Sequence, residues 1–481
     1  MIEFLRHESE LPYNPHDKTS IIEYAKKLAD NSLRNACIKG ADSLQNNKGA
    51  FGQLVENLYF FIKTNNSPEP DFYSVGMELK TAGLNKKNSQ WRAKESMMLS
   101  SINYHNIIKE EFSQSAVINK SECLLFIFYE YKKNVLPLDL IVKVVGSWSF
   151  SDIADKDKEI IKRDWEIIRD KVINGKAHEL SRKDTNYLCA VTSGTSDDFT
   201  KQPNGPKSRT RKYALKSGFM HSVINQITKQ NDNRISLFDS VREAKNLSIE
   251  EKVYQRFVPY FNKTDKELIQ ELNITNLNSK TKQRFSLITK QILKAMFNVP
   301  EKVKLDNYIE EFSKAELEVK TIRLNEQNLP EEDISFPAFK YEEVVNEDWE
   351  ESNFHSLIDK KFLFVFFQHK DQELILKKVK FWNMPYEDTL KAKKVWKETQ
   401  KILKEGKIVK EFKYDKNGKK LRVTNFPNKR FSDVAHVRPH AKNAEDTFPL
   451  PIKDKLTEAD NFTKHCFWLN AAYVRDEIFL K

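Results

Sequence analysis

Five segments of the first half of this chain recur in its second half, in the same order and at similar spacing. A duplication of that kind constrains the architecture before any single motif does, because one folding pattern must serve both copies. NKGAFGQLVENLYFFIK, with Phe51 and Glu56, lines up with TKQRFSLITKQILKAMF, with Phe285 and Lys290, and both carry apolar residues at helical spacing. Glu78-Leu79-Lys80-Thr81 with Asn85 matches Glu318-Val319-Lys320-Thr321 with Asn325. The apolar, aromatic runs at 124–129 and 362–367 read as buried strands. DKEIIKRDWEIIRDKVINGKA and EDTLKAKKVWKETQKILKEGKIV read as helices closed by Gly175 and Gly406. ALKSGFMHSVI from Ala214 parallels FWLNAAYVRDEI from Phe467. The expected fold class is α/β, as two tandem domains, each a mixed central sheet flanked by helices. The polar stretch 228–250 is the expected linker, with a boundary near residue 240 and domains at 1–235 and 236–481.

Length agrees, since 481 residues suit two or three domains. Lys+Arg 80 against Asp+Glu 69 leaves a net charge of +11, which favours a polyanionic partner, nucleic acid first. With only 12 glycines, the chain has neither G-x-x-x-x-G-K-[ST] nor G-x-G-x-x-G, so P-loop and dinucleotide chemistry are unsupported. Cys37, Cys123, Cys189 and Cys466 lack C-x-x-C spacing, which argues against a zinc ribbon or a disulfide framework. The opening MIEFLRHESELPYN carries acids where a signal peptide needs an apolar run, and the most apolar stretches fall far short of about 20 residues. The expected location is the cytoplasm, with no membrane span.

The chemistry gathers in the first copy. Pro70-Asp71 precedes Glu78-Leu79-Lys80 across a polar turn, and VGMELKT reads as a strand. On a strand Glu78 and Lys80 share one face while Leu79 turns to the core. Two carboxylates are hard oxygen ligands for Mg2+, and an adjacent ammonium can orient or activate water, a set suited to phosphodiester hydrolysis. Glu56, on the helix upstream, adds a third acid in an apolar setting. By itself P-D-x(6)-E-x-K also describes a solvated Glu–Lys pair at a strand edge.

K-G-x-x-G-Q-L-x-E, P-D, E-L-K-T and D-W-E together resemble the MutH family of PD-(D/E)xK nucleases, which nick or cut DNA at GATC. The likeness is greatest to its two-copy members, GATC-cutting type II restriction endonucleases. It extends to FYEYKK from Phe128, DWEII from Asp164, GKAHELS from Gly175, LKSGFM from Leu215 and HVRPH from His436. The resemblance implies restriction-endonuclease-like (MutH-like) domains, with Asp71 and Glu78 as metal ligands, Lys80 as the catalytic lysine and Glu56 as an additional acid. Lys120 then reads as a further active-site lysine, or as an ordinary charge flanking a strand.

Sequence-specific cleavage needs donors that reach base edges. The basic, turn-rich segment from Ala190 offers Lys207, Arg209, Arg211 and Lys212 as DNA contacts, and the second copy offers Arg438 and His440 in HVRPHAKNA. In that second copy Glu311, Glu318 and Lys320 stand at the positions of Asp71, Glu78 and Lys80, but Glu56 is replaced by Lys290, which opposes a divalent cation. Glu310-Glu311 lies in a helix-like stretch that misdirects the acid.

The implied function is a Mg2+-dependent type IIE restriction endonuclease: GATC duplex cut by the N-terminal half, effector GATC bound by a degenerate C-terminal half. Two DNA sites at once, and a monomer or DNA-induced dimer, are the expected assemblies. A mismatch-repair nickase like MutH and a non-cleaving GATC-binding protein remain open; the duplicated half speaks against the nickase.

Overall fold

The computed structural model describes residues 4–37, 50–63, 69–87, 89–195, 198–230, 232–275, 284–414, 418 and 420–481. The chain forms two compact units: one of residues up to Ile249 together with Asn307–Glu316, the other of Glu250–Asp306 with Leu317–Lys481. The expected linker is therefore structured. Phe238 and Ala244 are buried, and Ser240 caps a helix at Val241–Asn246, so this stretch completes the first unit.

In the first unit a short helix, α1 (Ala50–Leu54), precedes β1 (Glu78–Lys87), β2 (Gln90–Ala93) and β3 (Met97–Ser101). Next come β4 (Leu124–Glu130), β5 (Val142–Trp148) and the long α2 (Asp155–Ile173). The main sheet runs β2-β1-β4-β5, with β1 and β4 parallel and both outer pairs antiparallel. The run CLLFIFY takes a central place because it buries both faces: Leu124 to Phe128 are fully enclosed. Beyond α2 lie β6 (Leu188–Thr192), the hairpin β7 (Phe199–Thr200) and β8 (Ser208–Arg209), β9 (Arg211–Leu215) and α3 (Ser217–Thr228). A second sheet, β3-β9-β6, carries the hairpin between its last two strands. Gly146 lets α3 sit close on β5, since a Cβ there would fall 2.4 Å from Ile227 Cγ2.

The second unit repeats this plan from α4 (Arg284–Met296). After a short helix at Leu305–Tyr308 comes α5 (Glu310–Ala315), which belongs to the first unit. Then follow β10 (Glu318–Leu324), β11 (Ile334–Ser335), β12 (Phe362–Lys370), β13 (Glu373–Trp382) and α6 (Tyr386–Glu405), which ends on Gly406 in the left-handed region at φ 61°. After the hairpin β14 (Lys410–Tyr414) and β15 (Lys420–Thr424) come β16 (Ala435–Pro439), β17 (Thr447–Pro449), β18 (Asn461–Thr463) and β19 (His465–Leu469). The main sheet is β10-β12-β13 and the second is β11-β19-β16. The registers coincide: Glu78 pairs with Leu124, Glu318 with Phe362, each at the first residue of a parallel pair. The duplication read from sequence is thus a duplication of folds.

Candidate active site

Strand alternation sets the site. Leu79 is buried, while Glu78 and Lys80 share the opposite face, with Lys80 Nζ donating to Glu78 Oε1 at 2.7 Å. Lys120 follows a short helix at Ala116–Asn119, and its Nζ lies 3.6 Å from Glu78 Oε2. That oxygen is buried and has no hydrogen-bond partner among the described residues. Asp71 comes from the segment before the strand, folded back by a bridge between Phe72 and Met77 and by Gly76 at φ 63°. Its Oδ2 accepts from the Leu79 N–H at 2.9 Å, which holds it beside the strand.

The electrostatics are those of two crowded carboxylates. Burial, and after it the Glu78 charge, pushes Asp71 up to about 6, against the opposing pull of the Leu79 N–H, Lys80 and Lys120. A divalent cation would relieve that repulsion and give the orphaned Glu78 oxygen a partner. Asp71 and Glu78 could serve a hard ion as two carboxylate donors, while no group of three His, Cys, Asp or Glu side chains among the described residues is placed to hold one. Glu56 is half-buried in a π-turn, Val55–Tyr59, that continues α1. Gly52 brings this helix against β1, where a Cβ would meet Thr81 Oγ1 at 3.0 Å. Lys48 and Gly49 of the upstream motif lie outside the described residues.

The expected DNA contacts separate. Lys207 is exposed beside the β7–β8 hairpin. Arg209 and Lys212 are half-buried, and Arg209 Nη2 donates to Thr195 O at 3.1 Å. Arg211 departs from expectation: it is buried, and its guanidinium donates to Leu180 O, His178 O, Arg209 O and Ser208 Oγ. It braces the loop from inside, because strand alternation turns it inward between Thr210 and Lys212. In the second unit Arg438 lies on β16 with its guanidinium 3.7 Å above the Trp468 ring and Nη1 3.1 Å from Asp333 Oδ2. His440 is exposed, 5.2 Å from the same ring, and both line a groove of about 820 Å³ with Lys442 and Asn443.

The second unit holds Glu318 and Lys320 as a pair at 2.6 Å, with Lys360 Nζ 3.2 Å from the other carboxylate oxygen. Glu311 is not the counterpart of Asp71. It sits on α5, buried in the first unit, accepting from the Leu237 N–H and the Ser236 hydroxyl, each at 2.7 Å. The acid that interacts with this pair is Asp306: burial raises its carboxyl, and Lys304, Glu318 and Lys320 act on it. The repeated Asp-x-Tyr, Asp71-Phe72-Tyr73 and Asp306-Asn307-Tyr308, is the signal that identifies it. The inserted α5 obscures the spacing. Sequence reasoning also missed Lys360, which sits two residues before β12, where Lys120 sits four before β4.

The family model for the DNA mismatch repair enzyme MutH matches twice, at residues 60–164 and 306–401, one match in each copy. The type II restriction enzyme Sau3AI of Staphylococcus aureus is 32% identical over 96% of this chain and 98% of its own length. The mismatch repair protein MutH of Shewanella sp. (strain ANA-3) is 24% identical over 44% of this chain and 96% of its own length, and that of Shewanella woodyi 24% identical over 38% and 79%. The chain belongs to the MutH family, as a member with two tandem domains.

Proposed function

We propose that this chain is a Mg2+-dependent type II restriction endonuclease that hydrolyses double-stranded DNA at GATC. The first unit is its catalytic domain and the second binds an effector duplex. The observation that carries the reading is the Asp71–Glu78–Lys80–Lys120 constellation, in which Glu78 Oε2 is buried without a hydrogen-bond partner among the described residues. Likeness to a restriction enzyme along nearly the whole chain supports it.

Asp71 and Glu78 would hold the ion, with Glu56 as an additional acid near them. The ion supplies Lewis-acid neutralisation of the scissile phosphate. Lys80, fixed by Glu78, presents an ammonium to orient the attacking water, and Lys120 balances the second carboxylate oxygen. Lys207, Arg209 and Lys212 border the DNA on the hairpin side of this unit. In the second unit Arg438, flattened on Trp468 and tied to Asp333, and His440 face the effector duplex. One such site per chain cuts one strand at a time, so a double-strand break takes two chains gathered on DNA or two successive nicks.

The test is plasmid digestion with Mg2+ followed by end mapping. Ends at GATC from wild type, with cleavage lost by at least a thousandfold in Glu78→Ala at unchanged thermal midpoint, are expected. Cleavage surviving Glu78→Ala, or ends elsewhere, refutes the reading.

A further inference from the structure

The two copies of the site differ in sign. Phe51 packs on Tyr129 and Phe285 on His369, each toward the far end of the central parallel strand, so α1 and α4 lie toward corresponding ends of their sheets. Five residues beyond those phenylalanines stand Glu56 in one copy and Lys290 in the other. Two residues before Asp71 stands Glu69; two before Asp306 stands Lys304. The remaining positions keep their charge: Glu78 with Lys80 and Lys120, and Glu318 with Lys320 and Lys360. Four acids and two lysines have become two acids and four lysines.

The change reaches the remaining acids. Lys320 and Lys360 each contact one oxygen of Glu318, so both of its oxygens are already held by ammonium groups, whereas Glu78 keeps one without a hydrogen-bond partner. Lys304 acts on Asp306 ahead of Glu318 and Lys320. Lys290 and Lys304 are exposed. An ammonium placed where a metal-site acid belongs repels a divalent cation and attracts a phosphate.

We infer that the metal site of the second unit has been rebuilt as a metal-independent binding site for the DNA phosphodiester backbone, with Lys290 and Lys304 as its exposed ammonium groups. The inference rests on the reading that the second unit binds a duplex. It adds that this duplex is held without the ion on which the first unit depends. Each lysine on a phosphate releases counterions, so its contribution falls with salt.

The experiment counts duplexes bound per full-length chain, using a short GATC duplex with phosphorothioate linkages, in EDTA and in Ca2+. Wild type is expected to bind one duplex in EDTA and two in Ca2+. Lys290→Glu/Lys304→Glu, which restores the acids of the first copy, is expected to bind at least tenfold more weakly in EDTA. It should regain the second duplex in Ca2+. Lys290→Arg/Lys304→Arg, which keeps the charge, is expected to behave as wild type and controls for folding. Wild type binding nothing in EDTA but two duplexes in Ca2+, or a double-glutamate variant binding as wild type in EDTA, overturns the inference and leaves two-site binding intact. Wild type never exceeding one duplex per chain overturns two-site binding itself.

Discussion

Arg211 and Lys207 lie four residues apart in one basic run, and the structure gives them opposite tasks. The Arg211 guanidinium is enclosed by backbone carbonyls that would lose their donor on substitution. Arg211→Met is expected to lower unfolding free energy by about 2–4 kcal/mol, read by denaturant titration, and to leave the salt dependence of DNA binding unchanged. Lys207→Ala is expected to do the reverse, with unchanged stability and a salt slope shallower by about one. Exchange of those two outcomes would return Arg211 to the DNA surface. Asp71 carries a pH signature. Its carboxyl titrates near 6 in the folded, metal-free protein, above the ordinary carboxylate range, so the native state holds this proton more tightly than the unfolded chain. The contribution to stability is therefore present below about pH 4 and lost as pH rises through about 6. Asp71→Asn, which does not titrate, is expected to gain on wild type by up to about 3 kcal/mol between pH 4 and 7 without metal, and Mg2+ should shrink the gap. Stability curves that run parallel over that range would show that neither burial nor the Glu78 charge raises Asp71. From sequence, Glu78, Lys80 and Asp71 were legible because a two-residue period and a preceding turn suffice to bring them together. The inward turn of Arg211 was not, because a run of basic residues does not reveal which of its members faces the loop.

At the scale of elements, the site depends on how closely α1 approaches β1. The 3.0 Å left for a Cβ at Gly52 is tighter than ordinary contact, and Thr81 Oγ1 lies on the strand that carries Glu78 and Lys80. Gly52→Val is expected to push the helix bearing Glu56 off that strand and reduce kcat about tenfold with little change in KM for DNA. A variant with wild-type kcat would detach Glu56 from the chemistry. The strands at 124–130 and 362–370 and the helices ending before Gly175 and Gly406 were legible, since each is long, periodic and closed by turn chemistry. The partner of Glu318 was not. Six residues of helix, Glu310–Ala315, intervene between Asp306 and the strand, and spacing alone selected the acid on that helix.

For the whole molecule, repetition of motifs in order was enough to establish two tandem α/β domains, because local propensity and hydrophobic period are written in the residues themselves. The division between them is a matter of contacts made across long separations. Residues 307–316 belong to the first unit because Lys314 is buried against Asp157, Glu316 meets Arg182 at 2.7 Å, and Glu311 receives the Leu237 N–H. No periodicity records such pairings. What residue order alone established was the duplication, the central strands and the acid–lysine pair of the first copy. The burial of Arg211, the enclosure of Glu311 in the first unit, and the lysines closing on Glu318 came only from packing, which joins residues that the chain keeps apart.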